Sequence, residues 1–190
     1  TIDLRHPLTL RNSLRFPLQS PAARRDVLIG GLWLLVPVLG WLLNMGHRVR
    51  VVHRMHAGQT PWPAWERPGE LLKHGALTFL GMAWYGWPGV RVIAIPGYMS
   101  HYCKRYDPRE IFDPLRALRR VREGGLAYWK AWSIVVPVML LSFLGLLGLG
   151  IGFVFTSVYF WQVAAFSFAT VFTQRFDLDE AEGPPGAATR

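Results

Sequence analysis

Apolar and polar positions alternate in blocks along this chain, with long uncharged stretches separated by short basic ones. Residues 27–45 carry no charge, residues 76–96 carry only Arg91, and residues 131–174 run for 44 positions with no Asp, Glu, Lys or Arg. A soluble fold could not hide the last run. A bilayer core of about 30 Å takes roughly 20 helical residues, so that run suffices for two crossings and each earlier run for one.

Proline and glycine punctuate these blocks in a recurring order. Ser20-Pro21, Arg67-Pro68 and Asp113-Pro114 read as helix starts, because proline in a first turn forfeits no intrahelical bond. Ser20 and Asp113 can also cap the exposed backbone N–H groups. Each start leads through a charged turn to glycine and then to an apolar run with an internal proline, Pro37, Pro88 or Pro137. Shifting the chain by 51 positions aligns Gly30 with Gly81, Trp33 with Trp84, Pro37 with Pro88, Gly46 with Gly97 and Arg54 with Arg105, which suggests an internal repeat. The glycine-rich residues 145–152 read as the turn of a closing helical hairpin.

These signals predict an all-α, polytopic helical membrane protein with about four membrane segments, proline kinks and one basic interfacial helix. Residues 1–20 form a basic N-terminal arm, residues 21–176 the helical membrane domain, and residues 177–190 an acidic flexible tail. Within the domain we expect one kinked helix over 21–56, a second over 68–104, a basic surface helix over 114–130 and the hairpin over 131–174. The polar, basic first 25 residues argue against a secretory signal peptide.

Charge sharpens this picture. The net charge is +9, yet the cations avoid the apolar runs, and 13 of the 21 Lys and Arg residues lie in 1–25 and 104–130. Such flanks hold membrane segments on the cytoplasmic side and attract anionic lipid. We therefore expect a multi-pass protein of a prokaryotic cytoplasmic (inner) membrane. Four crossings leave the cations of 47–74 outside. A second topology keeps all three basic regions inside by making the first two runs re-entrant wedges hinged at Pro37 and Pro88, which requires irregular backbone shielded by protein. No nucleic-acid-binding signature interrupts the pattern, so nucleic acid is not an expected partner. Cys103 is the sole cysteine, which excludes an intramolecular disulfide.

Candidate chemistry is sparse. Arg116, Arg119, Arg120 and Arg122 alternate with Leu115, Leu118 and Val121, the pattern of a surface helix that places cations among anionic headgroups. Arg91 is a candidate buried charge of the kind that marks a membrane pathway, although a helix break at Trp87-Pro88-Gly89 lets it reach an interface. His53 and His56 share a helix face, as two cofactor or metal ligands must. Arg48, Arg50 and Arg54 crowd them without a nearby carboxylate, so interfacial histidines are the expected reading, and neither a metal nor a cofactor is expected. His47 and His101 are the remaining residues that could ligate a pigment or haem. Tryptophans cluster near the ends of the apolar runs, as in an interfacial belt. There is no GxSxG, no phosphate loop and no paired carboxylate set.

The stretch from Leu28 to Pro37, then Gly46-His47-Arg48, Gly58, Pro63-Ala64-Trp65, Pro96-Gly97-Tyr98 and Ile111-Phe112-Asp113, resembles a prokaryotic family of uncharacterised multi-pass membrane proteins, domain of unknown function 4013. The likeness covers about residues 20–175, with Gly46-His47 where that pattern usually has Gly-Tyr. It implies a multi-pass membrane protein and supplies no catalytic residues. The resulting expectation is a non-catalytic accessory or scaffold subunit of a larger membrane assembly, bound to lipid and to a membrane protein partner or a second copy. A small transporter or channel protomer and a lipid-modifying enzyme are the alternatives.

Overall fold

A computed structural model describes residues 4–62, 64–86, 93–147 and 150–176; the acidic tail and Arg91 lie outside them. Seven α-helices, linked by loops and short 3₁₀ turns, hold most of the described residues, which include no strand. They are α1 (Leu10–Arg15), α2 (Pro21–Leu34), α3 (Leu39–His56), α4 (Pro68–Gly86), α5 (Ile95–Arg105), α6 (Pro114–Ser142) and α7 (Ile151–Phe176). Both expected caps form: Ser20 Oγ accepts the Ala23 N–H at 3.1 Å, and Asp113 Oδ1 accepts the Arg116 N–H at 2.9 Å.

The expected kinked helix over 21–56 is instead a hairpin. The chain turns at 35–38, where Pro37 has no N–H to donate and Val38 takes a left-handed φ of 63°. It then runs back along itself. His47 meets Asp26, the Asn44 amide donates to the Gly30 carbonyl at 3.0 Å, and a Cβ at Gly40 would sit 1.7 Å from the Trp33 carbonyl oxygen. Glycine thus permits a helix approach that no other residue allows. The second expected helix, over 68–104, also folds back. His74 of α4 contacts the Tyr102 hydroxyl of α5 at 2.6 Å, and the Tyr85 and Tyr98 rings stack at 4.7 Å.

The 51-residue shift therefore relates α2 to α4 and α3 to α5, two proline-containing hairpins in succession. They join through α3 and α4, antiparallel and nearly touching at the backbone. A Cβ at Gly46 would lie 1.8 Å from the Leu71 oxygen, and one at Gly75 would lie 1.9 Å from the Leu42 oxygen.

The third hairpin forms where the glycine-rich turn places it. Thr156 of α7 donates to the Ser142 carbonyl at 2.7 Å, and Gly145 packs against Gly152. Helix α6 begins at Pro114 as expected but bends at Gly125, whose φ of 52° and ψ of −139° leave the helical region. The basic segment is thus the first limb of a long bent helix.

Two helices are long and apolar enough to cross a membrane: α6 extended to Leu147, and α7. Four such helices are not present among the described residues. The uncharged run 131–174 is partly hidden by protein after all. Its last part, from Gln162 to Phe172, is almost wholly buried, with Phe166 stacked on Phe16 at 4.8 Å and Ser167 bonded to Ser13 at 3.0 Å. The basic N-terminal arm supplies part of that cover, through Ser13 of α1 and Phe16 just after it, and Tyr128, Trp132 and His101 cover Phe168 and Phe172.

Candidate functional site

All three hairpins point the same way. The starts of α2, α4 and α6 gather with the ends of α3, α5 and α7 at one end, hereafter the base. His53 of α3 bonds the Cys103 and Lys104 carbonyls of α5, and His56 meets Thr173 of α7 at 3.5 Å. The opposite end collects the described turns, at 35–38 and 143–147. There Leu35 is 58 % exposed, Val38 67 %, Leu147 84 % and Ile151 61 %, with no described charge among them.

The base is ionic and aromatic. Arg50 bonds Glu70 at 2.9 Å and the Glu66 carbonyl, and Arg54 pairs with Glu66 at 3.1 Å. The acids that neutralise these cations lie 12 to 20 residues away in sequence, and so the local pattern showed crowded cations alone. Glu110, almost fully buried, holds Arg116 at 3.0 Å and Arg120 at 2.8 Å. Of the four arginines expected to bind lipid, Arg119 and Arg122 therefore present exposed side chains, while Arg116 and Arg120 are engaged by protein. Leu115 and Leu118 face outward, as a membrane-surface helix requires, with Ala117 buried towards α5 beside Gly97.

His53 and His56 do not converge on one point. The His53 ring stacks on Tyr106 at 4.2 Å, its Nδ1 faces backbone carbonyls, and His56 faces Thr173. Among the described residues no group of three or more His, Cys, Asp or Glu side chains is placed to hold a metal. His101 packs edge-on to Phe172, and burial pushes its imidazole down to about 3, with Arg120 adding to the effect.

His47 departs furthest from the interfacial reading. It is 2 % exposed, donates from Nε2 to Asp26 Oδ2 at 2.8 Å, and stacks on Trp65 at 4.1 Å. The Ala64 N–H reaches the same carboxylate oxygen at 3.2 Å. Asp26, His47 and Ala64 thus bind the α2–α3 hairpin to the 57–67 loop in one buried latch. Burial lowers the His47 pKa more strongly than Asp26 raises it, so the imidazole is neutral. Asp26 stands directly before the first apolar run, where only its partner 21 positions on reveals its role.

Arg48, next to His47, is 7 % exposed and lies over the Trp161 ring at 4.2 Å. Its Nη2 has no hydrogen-bond partner, and Gln162, 2 % exposed, has none at either amide atom. Both groups line a cavity of about 380 Å³ between α3 and α7. Neither residue stood out in the sequence.

The fold and these surfaces define an all-helical protein of three hairpins with an apolar end, a charged end and two helices able to cross a membrane. No family model matches the chain, and neither a curated protein nor a solved structure does.

Proposed function

We propose that this chain is a non-catalytic integral membrane protein, an accessory or scaffold subunit that enters the bilayer from one face. The observation that carries the reading is the shared polarity of the three hairpins. A contiguous apolar end is costly in water, and a turn emerging on the far side of a membrane would expose polar residues. Hydrocarbon accepts the uncharged turns at 35–38 and 143–147, whose backbone is satisfied within paired helices, while Arg91, between α4 and α5, lies outside the described residues. From Asp26 to the turn at 35–38, α2 rises about 15 Å at about 1.5 Å per residue, half of a bilayer core of about 30 Å. The base then lies at the headgroups, where the exposed Arg24, Arg25, Arg119 and Arg122 meet anionic lipid. The concentration of cations at that end supports reading it as the cytoplasmic face of a prokaryotic inner membrane.

The scaffold role rests on how the polar groups are spent. Asp26, His47, Arg50, Arg54 and Glu110 tie elements of the protein to one another. Outward-facing Phe112, Leu115 and Leu118 give α6 an apolar surface for the membrane boundary or a partner subunit.

Single-cysteine labelling in sealed vesicles tests the topology, in a Cys103→Ser background. Exposed probes at Gln19→Cys, Gln59→Cys and Glu123→Cys should all react from the same side with a membrane-impermeant maleimide. Val38→Cys and Leu147→Cys should react from neither. Reaction of Gln59→Cys from the side opposite the other two restores four crossings, and reaction of the tip probes from the far side makes the hairpins spanning. Purification from native membranes in mild detergent tests the accessory role, which predicts a stoichiometric protein partner.

A further inference from the structure

The cavity between α3 and α7 is graded along its length. On α3 the lining passes from Trp41 through Asn44 to Arg48; on α7 it passes from Phe153 through Ser157 to Gln162. Both helices run from the apolar end of the molecule towards the base, so the hydrocarbon walls lie towards the tips and the polar walls towards the base. A membrane amphiphile entering from the base face has the same order, chain towards the bilayer centre and head at the interface.

The polar end is incomplete in a specific way. Arg48 remains cationic at neutral pH, since burial brings it down only to about 10. One face of its guanidinium is covered by Trp161, and no described carboxylate pairs with it. Leaving a charge and an amide buried without partners is costly, and such groups ordinarily find compensation. Asn44 is already spent on the Gly30 and Gly40 carbonyls, so the open donors are Arg48 and Gln162. The missing partner is therefore an acceptor carrying negative charge. Arginine suits the planar oxygens of a carboxylate and the oxygens of a phosphate equally.

We infer that the α3–α7 cavity binds an anionic amphiphile, its carboxylate or phosphate head on Arg48 and Gln162 and its hydrocarbon chain along Trp41 and Phe153 towards the hairpin tips. The site depends on the membrane reading only for the source of its ligand, since its geometry is internal to the folded chain. It is distinct from the surface arginines of α6, which meet lipid outside the protein.

Thermal unfolding of the full chain in an uncharged detergent tests this independently of topology. The probes are oleate, a phosphatidylglycerol and uncharged monoolein. Oleate, phosphatidylglycerol or both should raise the midpoint saturably, and monoolein should not. Response to oleate alone identifies a fatty-acid carboxylate; response to phosphatidylglycerol alone identifies a phospholipid phosphate.

Arg48→Met should unfold at a higher temperature than the native chain when both are delipidated, because it removes an uncompensated buried charge, and its apparent affinity for the active probe should fall at least tenfold. Ser157→Phe, which fills the cavity and leaves Arg48 in place, should lose the response as well. Gln162→Leu should weaken it severalfold. No midpoint shift from either anionic probe, an equal shift from monoolein, or an undiminished response in a folded Arg48→Met or Ser157→Phe variant overturns the inference.

Discussion

The base and the tip of the molecule are held together by different means. At the base, opposite charges and stacked rings join the helices: Arg50 to Glu70, Arg54 to Glu66, Arg116 to Glu110, and His53 on Tyr106. Towards the tips, absent side chains serve instead. Gly31 lies against Phe155, Gly40 against the Trp33 backbone, and Gly145 against Gly152. Under the membrane reading proposed above, the contrast follows the solvent each half would meet. Water drives apolar burial and tolerates solvated ions, whereas hydrocarbon offers no hydrophobic force between helices and leaves close packing of small residues to hold them. Buried polar groups at the junction, around His47 and Arg48, mark where one regime gives way to the other.

The largest effect should come from disturbing the close backbone approach of α3 and α4. Gly46→Ala places a methyl group against the Leu71 carbonyl, which belongs to a helix and cannot rotate aside. It should destabilise the protein by about 3 kcal/mol or more, the upper end of overpacking penalties, as read by thermal unfolding in mild detergent. Gly58→Ala, at a position with open space but a φ of 65°, should cost only about 1 kcal/mol. Similar losses for the two would remove the argument that α3 and α4 depend on glycine contact.

Breaking the latch comes next. Asp26→Ala leaves the His47 Nε2–H and the Ala64 N–H buried without an acceptor, at a cost of about 3 kcal/mol. The pH dependence has a definite sign. His47 and His101 are held below the ordinary imidazole value by burial, so the unfolded chain takes up protons that the folded chain refuses. Stability is therefore fully present above about pH 6.5 and declines as the pH falls below it. Unfolding midpoints measured from pH 8 to pH 5 should decrease, and an increase would contradict the buried, neutral state of these rings.

Charging the tip should affect insertion and spare folding. Val38→Lys places a cation in hydrocarbon at about 2.5 kcal/mol, the scale for Lys at a membrane centre. Carbonate-resistant membrane association should drop while the detergent-solubilised variant keeps its unfolding midpoint. Gln59→Lys at the base should change neither. If Val38→Lys inserts as well as the native chain, the apolar end does not lie in hydrocarbon.

The smallest effect belongs to the surface cations. Arg119→Gln and Arg122→Gln should each weaken association with anionic vesicles by about 1 kcal/mol, more at low salt than at high salt. Arg116→Gln should act mainly on stability, because that residue is committed to Glu110. Equal vesicle effects for Arg116 and Arg119 would show that the ion pair opens at the membrane.

Helix starts were legible in the sequence because proline and a capping side chain act within one turn, and Ser20 and Asp113 form the contacts their positions imply. The closing hairpin was legible as well, since glycine at 145 and 152 is a local necessity of a tight crossing. The first two hairpins were open to two readings. Proline 37 announces an interruption, but whether the chain kinks onward or folds back depends on Asn44 finding Gly30 and His47 finding Asp26.

By itself, then, the sequence determined helical content, the order of apolar and basic blocks, the helix starts and the closing turn, all of which follow from interactions within a few residues. Tertiary structure alone decided that the described turns at 35–38 and 143–147 share one end, that Arg50 and Arg54 of α3 have acidic partners, and that Arg48 and Gln162 line one cavity without partners of their own. Those outcomes require residues 12 to more than 100 positions apart to meet. No local propensity encodes such meetings; they follow from which helix faces can approach closely enough to touch.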